Sequence, residues 1–125
     1  MFKGKPTKVI LTGKARDEFE KISALVEQEI IKGKIKSTYQ TLFESIKQKI
    51  ELLKENPEYG VHIAKNKIPY EYKQQFDVNN LWKLNLSGAW RMIYTIRGSE
   101  IDIISLVIEI MPHKKYDRKF KYKNK

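Results

Sequence analysis

The sequence predicts an α+β fold: an N-terminal strand, an antiparallel helical hairpin, an antiparallel β meander and a short basic C-terminal segment. Three observations carry this. Apolar residues recur at helical spacing in two stretches between Ala15 and Leu53. From Leu81 onward the pattern changes to two-residue alternation, interrupted by Ser87-Gly88 and Gly98-Ser99. Helices that precede strands in this way stack a helical hairpin on one face of a sheet. The 125 residues suit one domain spanning 1–125, and 41% apolar content is enough for one core. No repeat or linker divides the chain.

Each element has a local reason. Lys8-Val9-Ile10-Leu11-Thr12 is rich in β-branched residues and ends at Gly13, as a short strand does. Ala15, Phe19, Ile22, Val26 and Ile30 form the apolar stripe of a first helix that stops at Gly33. Asp17, Glu18 and Glu20 sit in its first turns, where the helix dipole favours acids. Ser37 and Gln40 fit a capping box that opens a second helix. Its stripe is Tyr39, Leu42, Ile46, Ile50 and Leu53, and Asn56-Pro57 ends it. The short connection makes the two helices an antiparallel hairpin. Val61-His62-Ile63 is a short extended piece, and Ile68 to Tyr72 fits one helical turn with Pro69 at its first position. Three strands follow: Leu81–Leu86, Ala89–Arg97 and Ile101–Ile110. The last is nearly continuous apolar sequence, which predicts a central strand buried on both faces. Pro112 ends it.

Composition removes several chemistries. There is no cysteine, hence no disulfide, no thiolate nucleophile and no cysteine-based metal site. No apolar run approaches the length of a membrane helix, and the first residues lack the apolar core of a signal peptide. The expectation is a cytoplasmic protein with no membrane partner. There is no glycine-rich phosphate loop, no HExxH motif and no carboxylate cluster with metal spacing, so no metal and no cofactor are expected.

The net charge of +10 is localised. Residues 15–110 carry 14 basic and 14 acidic side chains, whereas residues 1–14 carry four lysines and no acid. Residues 111–125 carry seven basic residues against Asp117 alone. A localised surplus favours a polyanion, most often nucleic acid. The basic tail, about 119–125, is expected to remain outside the core.

Candidate site residues are the polar ones that interrupt the apolar pattern. Arg91 stands mid-strand between Trp90 and Met92, on the face expected to lie opposite the helices. A guanidinium there can hold a phosphate through two parallel hydrogen bonds. A hairpin closing at Ser87-Gly88 pairs residues whose numbers sum to about 175, which brings Lys83 within one or two rungs of Arg91. His113 follows the last strand and can move protons near neutral pH. Tyr116 can stack on a base. His62 has no such company and reads as structural.

Three stretches together resemble the RelE/ParE toxin superfamily, and within it the RelE- and HigB-like mRNA interferases. They are Asn80-Leu81-Trp82-Lys83-Leu84-Asn85-Leu86, then Ala89-Trp90-Arg91-Met92-Ile93-Tyr94, then His113-Lys114-Lys115-Tyr116-Asp117-Arg118. The resemblance spans about residues 8–120 and agrees with the element order read above. It implies a toxin of a toxin–antitoxin pair, an endoribonuclease that cuts mRNA on the ribosome without a metal. In that chemistry the 2′-hydroxyl attacks the adjacent phosphate. By position, Arg91 matches the arginine that steadies the phosphate, Lys83 a lysine of the catalytic face, and His113 the imidazole acid or base. RelE-type members carry a second lysine two residues after the first, where this sequence has Asn85. Lys65 and Lys67, from the preceding loop, are candidates for the missing charge. Tyr116, Lys114, Lys115 and Arg118 are expected to contact RNA. The implied partners are mRNA, the ribosome and a small acidic antitoxin. Two alternatives stay open: a ParE-like inhibitor of DNA gyrase, or a basic RNA-binding relative without activity.

Overall fold

The computed structural model describes residues 2–120. The chain runs β1 (Thr7–Leu11), α1 (Gly13–Ile31), α2 (Thr38–Glu55), β2 (Val61–Ile63), α3 (Tyr70–Phe76), β3 (Leu81–Asn85), β4 (Trp90–Gly98), β5 (Ile103–Pro112) and α4 (His113–Phe120). Short 3-10 turns at Pro57–Tyr59, Lys65–Lys67 and Ser87–Ala89 punctuate it. The five strands form one sheet in the order β1-β5-β4-β3-β2. β1 lies parallel to β5, and the other neighbours are antiparallel.

The expected hairpin is present. Ala15, Ile22 and Val26 of α1 and Leu42, Ile46 and Leu53 of α2 pack against Leu84, Met92, Tyr94, Val107 and Ile110 of the sheet. Burying each aliphatic side chain of this kind is worth about 1.5–3 kcal/mol. The stripes overrun this contact: Ile30, at the end of α1, is 61% exposed and Tyr39, at the start of α2, 40% exposed. At the start of α2, Ser37 Oγ accepts from the Gln40 N–H at 3.0 Å, as a cap should. The reciprocal half of the capping box is replaced. The Gln40 amide instead donates to Glu29 and to the Lys34 carbonyl, tying α2 to the end of α1.

β5 is central and buried as expected, flanked by β1 and β4. It carries one extra residue, Ile108, between the pairs Ile93↔Glu109 and Tyr94↔Val107. This bulge turns both Ile108 and Glu109 away from the helical hairpin. Asn80 stitches β3 to β4 with its side chain. Its Oδ1 accepts from the Ile96 N–H at 2.9 Å and its Nδ2 donates to the Ile96 carbonyl at 3.0 Å. At Gly60, a Cβ would lie 2.6 Å from the Lys83 carbonyl oxygen, so only glycine fits beside β3.

The face opposite the hairpin differs from expectation. It is not an open sheet surface but carries a second core. Ile63, Ile68, Tyr72, Val78, Leu81, Ile93, Ile108, Met111, Tyr116 and Phe120 cluster there. Two short helices build it. The segment after Pro69 forms two turns of α3 rather than one, with Pro69 as its N-cap. The basic segment after Pro112 is helix α4, whose Tyr116 and Phe120 rings stack at 4.5 Å on the buried side. The expected tail therefore starts too early. Lys119 and Phe120 belong to α4, and Phe120 is only 5% exposed. The rest of that tail, 121–125, lies outside the described residues.

Candidate functional site

The β3–β4 ladder decides which cations meet. Lys83 pairs with Ile93 and Asn85 with Arg91, so the numbers sum to 176, against the expected 175 or so. Two-residue alternation then puts Lys83 and Arg91 diagonally on one face. α4 packs over that face and brings Tyr116 beneath both. Lys83 Nζ lies 5.1 Å and Arg91 Cζ 5.5 Å from the Tyr116 ring centroid. Both are within cation–π range. The two cations are half-buried, and Tyr116 is 1% exposed. This corrects the expectation that Tyr116 stacks on a base: its faces are taken by Phe120 and by the two cations. The phenol is a platform that holds Lys83 and Arg91 in place.

Arg91 is held but not saturated. Nη1 donates to the Trp90 carbonyl at 3.2 Å, and buried Nε has no hydrogen-bond partner. Nε is sealed from solvent, so an oxyanion would be met by the terminal N–H groups of the guanidinium.

His113 is the first residue of α4, directly after Pro112, which pairs with Trp90 beside Arg91. The helix supplies a partner that was not anticipated. His113 Nε2 lies 2.9 Å from Asp117 Oδ2, one helical turn on. In the neutral ring, Nε2–H donates to Asp117 and Nδ1 keeps its lone pair, a base held in one orientation. The i, i+4 spacing was visible, but only to a reading that makes 113–120 a helix.

The remaining basic candidates divide. Lys114 and Arg118 are exposed on α4, where they can meet a polyanion. Lys115 is engaged elsewhere, its Nζ 2.8 Å from Glu109 Oε2. Lys65 borders a hollow with Lys73 and Asn79 beside α3. Lys67 lies beside Tyr70, Lys119 and Phe120, at the far end of α4 from His113. These placements bring Lys65 and Lys67 to the α3 side and the C-terminal end of α4.

Glu109 organises this side of the molecule and was missed as a site residue. It is 2% exposed, and its carboxylate is surrounded by the Tyr72 hydroxyl at 2.7 Å, Lys115 at 2.8 Å, Lys119 at 3.2 Å and Lys14 at 3.5 Å. Burial alone would raise its pKa. The bonds from Lys115 and Tyr72 and the charges of Lys119 and Lys115 outweigh that and hold the carboxyl at about 2. Lys119 shifts upward: burial opposes its charge, but Glu71 and Glu109 more than compensate. The Tyr72 hydroxyl is pushed well above its usual range by burial and by Glu109. Glu109 therefore clamps α1, α3 and α4 to the bulged strand. The signal for it was a lone acid in the apolar run Ile103–Met111.

Among the described residues, no helix is long and apolar enough to cross a membrane. No protein-family model matches the sequence. No curated protein matches it either. Among solved structures, the YoeB/ParE toxin from Agrobacterium tumefaciens is similar in fold, with a TM-score of 0.53 and 20% identity. The match covers 85% of this chain and 98% of that one. The likeness extends over nearly the whole of that chain, so this chain shares its overall fold with a solved YoeB/ParE toxin structure.

Proposed function

We propose that this protein is the toxin of a toxin–antitoxin pair and cuts mRNA on the ribosome. The observation that carries the reading is the half-buried Lys83–Arg91 pair over Tyr116, next to the strand end from which His113 starts α4. A transesterification needs three services: a base for the 2′-hydroxyl proton, positive charge for the equatorial phosphate oxygens, and an acid for the leaving 5′-oxygen. Arg91 suits the second, because a guanidinium stays charged and can bind two oxygens. Lys83 adds a second positive charge on the same face. His113, oriented by Asp117, suits the proton transfer, taking the 2′-hydroxyl proton on Nδ1 as the oxygen attacks phosphorus. The bond from phosphorus to the 5′-oxygen then breaks, and that oxygen takes its proton from water. The products are a 2′,3′-cyclic phosphate and a 5′-hydroxyl end.

Lys114 and Arg118 would track phosphates of the mRNA or the ribosome, giving salt-dependent affinity. The same basic surface would accept a small acidic antitoxin that orders on binding. Co-expression with such a partner should give a complex that weakens as salt rises.

Expression in growing cells tests the reading. The wild type should arrest growth and cut mRNA within coding regions. Arg91→Ala should lower the cleavage rate by about 10²–10³, and His113→Ala by about 10²–10⁴. Both should relieve arrest with an unchanged circular dichroism spectrum. Arrest that survives both substitutions contradicts the proposal. Intact mRNA with blocked DNA supercoiling would point instead to gyrase.

A further inference from the structure

Exposed apolar side chains gather at one place, the end of the helical hairpin. Besides Ile30 and Tyr39, Ile31 is 77% and Ile35 91% exposed. They sit in the last turn of α1, the connection and the first turn of α2. None of the four belongs to either core. Apolar groups clustered in this way and rimmed by polar ones mark a docking surface.

The connection is held rather than loose. The Gly33 N–H donates to the Ile30 carbonyl at 3.0 Å, and the Lys34 N–H to the Glu29 carbonyl at 2.9 Å. Gly33, at φ of 82°, supplies the left-handed residue that closes a helix in this way. The Ser37 hydroxyl and the Gln40 amide both donate to the Glu29 carboxylate, and Gln40 donates as well to the Lys34 carbonyl. The residues flanking Ile35 are thus tied to α1 and α2, and Ile35 is presented outward by a built turn. Glu29 is engaged within that turn. Lys32, Lys34 and Lys36 alternate with the apolar residues and are all exposed. The next acid back along the chain, Glu27, stands one turn before Ile31.

The combination selects the partner. A second copy of the chain would bring like charges together. RNA would meet the lysines but leave the isoleucines in water. Lysine is depleted from the cores of protein interfaces, and side chains this exposed project from the surface instead of lining a groove. An anionic bilayer satisfies every group. Aliphatic side chains enter the acyl boundary, lysine stems run back to the headgroups, and a tyrosine settles at the interface.

We propose that the end of the helical hairpin is a docking tip for an anionic lipid surface. Ile31 and Ile35 enter the acyl boundary, and Lys32, Lys34 and Lys36 meet lipid phosphates. The attachment is peripheral. The expectation of no membrane partner concerns spanning segments, and a tip of this kind needs none. The inference is independent of the RNA-cleavage reading.

The test is sedimentation of the full chain with vesicles of phosphatidylcholine, alone or with one-third phosphatidylserine. A chain of net charge +10 is drawn to any anionic surface, so the isoleucines decide the matter. Wild type should sediment with the phosphatidylserine vesicles and do so less as salt rises. The double variant Ile31→Ser, Ile35→Ser keeps the charge and should lower the partition coefficient by about 10-fold or more. Its melting temperature should not change, because both positions are exposed. Lys32→Gln with Lys36→Gln should lower the partition coefficient by about 5-fold per lysine. Emission from an Ile35→Trp variant should move to the blue on the anionic vesicles. A serine double variant that partitions like wild type, or Ile35→Trp emission that stays at its value in water, would overturn the tip. So would wild type that remains in the supernatant with both vesicles, and serine variants that lose a co-expressed protein there would assign the patch to that protein instead.

Discussion

The guanidinium carbon of Arg91 stands 5.5 Å from the centroid of the Tyr116 ring, and that ring is almost completely buried. Lys83 stands over the same ring at 5.1 Å. One phenol from the last helix thus fixes two cations from two strands. Tyr116→Phe keeps the ring and should retain both contacts and most cleavage activity. Tyr116→Ala should destabilise the fold by about 3–5 kcal/mol, the range for losing a large buried side chain. Urea unfolding checks this. Equal stabilities for the alanine variant and wild type would show that the ring does not support the site.

Glu109 should dominate the acid limb of stability. An unfolded glutamate titrates near 4.3, and here the folded carboxyl is held at about 2. The depressed pKa means the contribution is fully present above pH ~4.3 and is lost as pH falls through about 2, a change of about 3 kcal/mol. Glu109→Gln should flatten that limb. Glu109→Ala should lose about 3–5 kcal/mol at neutral pH, because Lys14, Lys115 and Lys119 lose their shared partner. Melting curves between pH 2 and pH 7 decide it; parallel profiles for wild type and Glu109→Gln would sink the clamp.

Tyr94 and Gly60 form a second checkable unit. The Tyr94 hydroxyl donates to the Pro57 carbonyl at 2.6 Å and accepts from the Gly60 N–H at 3.1 Å. Burial pushes its pKa up to about 12. Tyr94→Phe leaves a buried carbonyl and an N–H unpaired and should destabilise by about 1–3 kcal/mol. Gly60→Ala places a Cβ 2.6 Å from the Lys83 carbonyl oxygen and 2.8 Å from the Tyr94 hydroxyl, and should be the more damaging change. A Gly60→Ala protein as stable as wild type would refute this packing.

Two truncations separate core from charge. Deleting 120–125 removes the buried Phe120 ring and should destabilise the fold. Deleting 121–125 removes Lys121, Lys123 and Lys125 while keeping that ring. If those lysines meet RNA phosphates, the second deletion should make the salt dependence of ribosome binding shallower. Identical salt slopes with and without 121–125 would assign them no phosphate contact.

Legibility followed periodicity. The helical hairpin and the three long strands were readable because each shows several repeats of its period. The Lys83–Arg91 diagonal was readable because a turn at Ser87-Gly88 sets the register arithmetic. The second core was not. α3 and α4 have seven and eight residues, too few to display a stripe, and α4 is dominated by charge. With α4 unread, Tyr116 looked like an exposed ring, Phe120 like tail, and Asp117 like an isolated acid. The bulge at Ile108 cannot be seen from alternation alone in a strand that is apolar on both faces, so Glu109 gave no sign of which side it took.

The measurement closest to the central claim is end-group analysis of mRNA cut by the purified protein on programmed ribosomes. The wild type should leave a 2′,3′-cyclic phosphate and a 5′-hydroxyl, with Arg91→Ala slower by about 10²–10³. Fragments bearing a 5′-phosphate, or an Arg91→Ala protein that cuts at the wild-type rate, would contradict it.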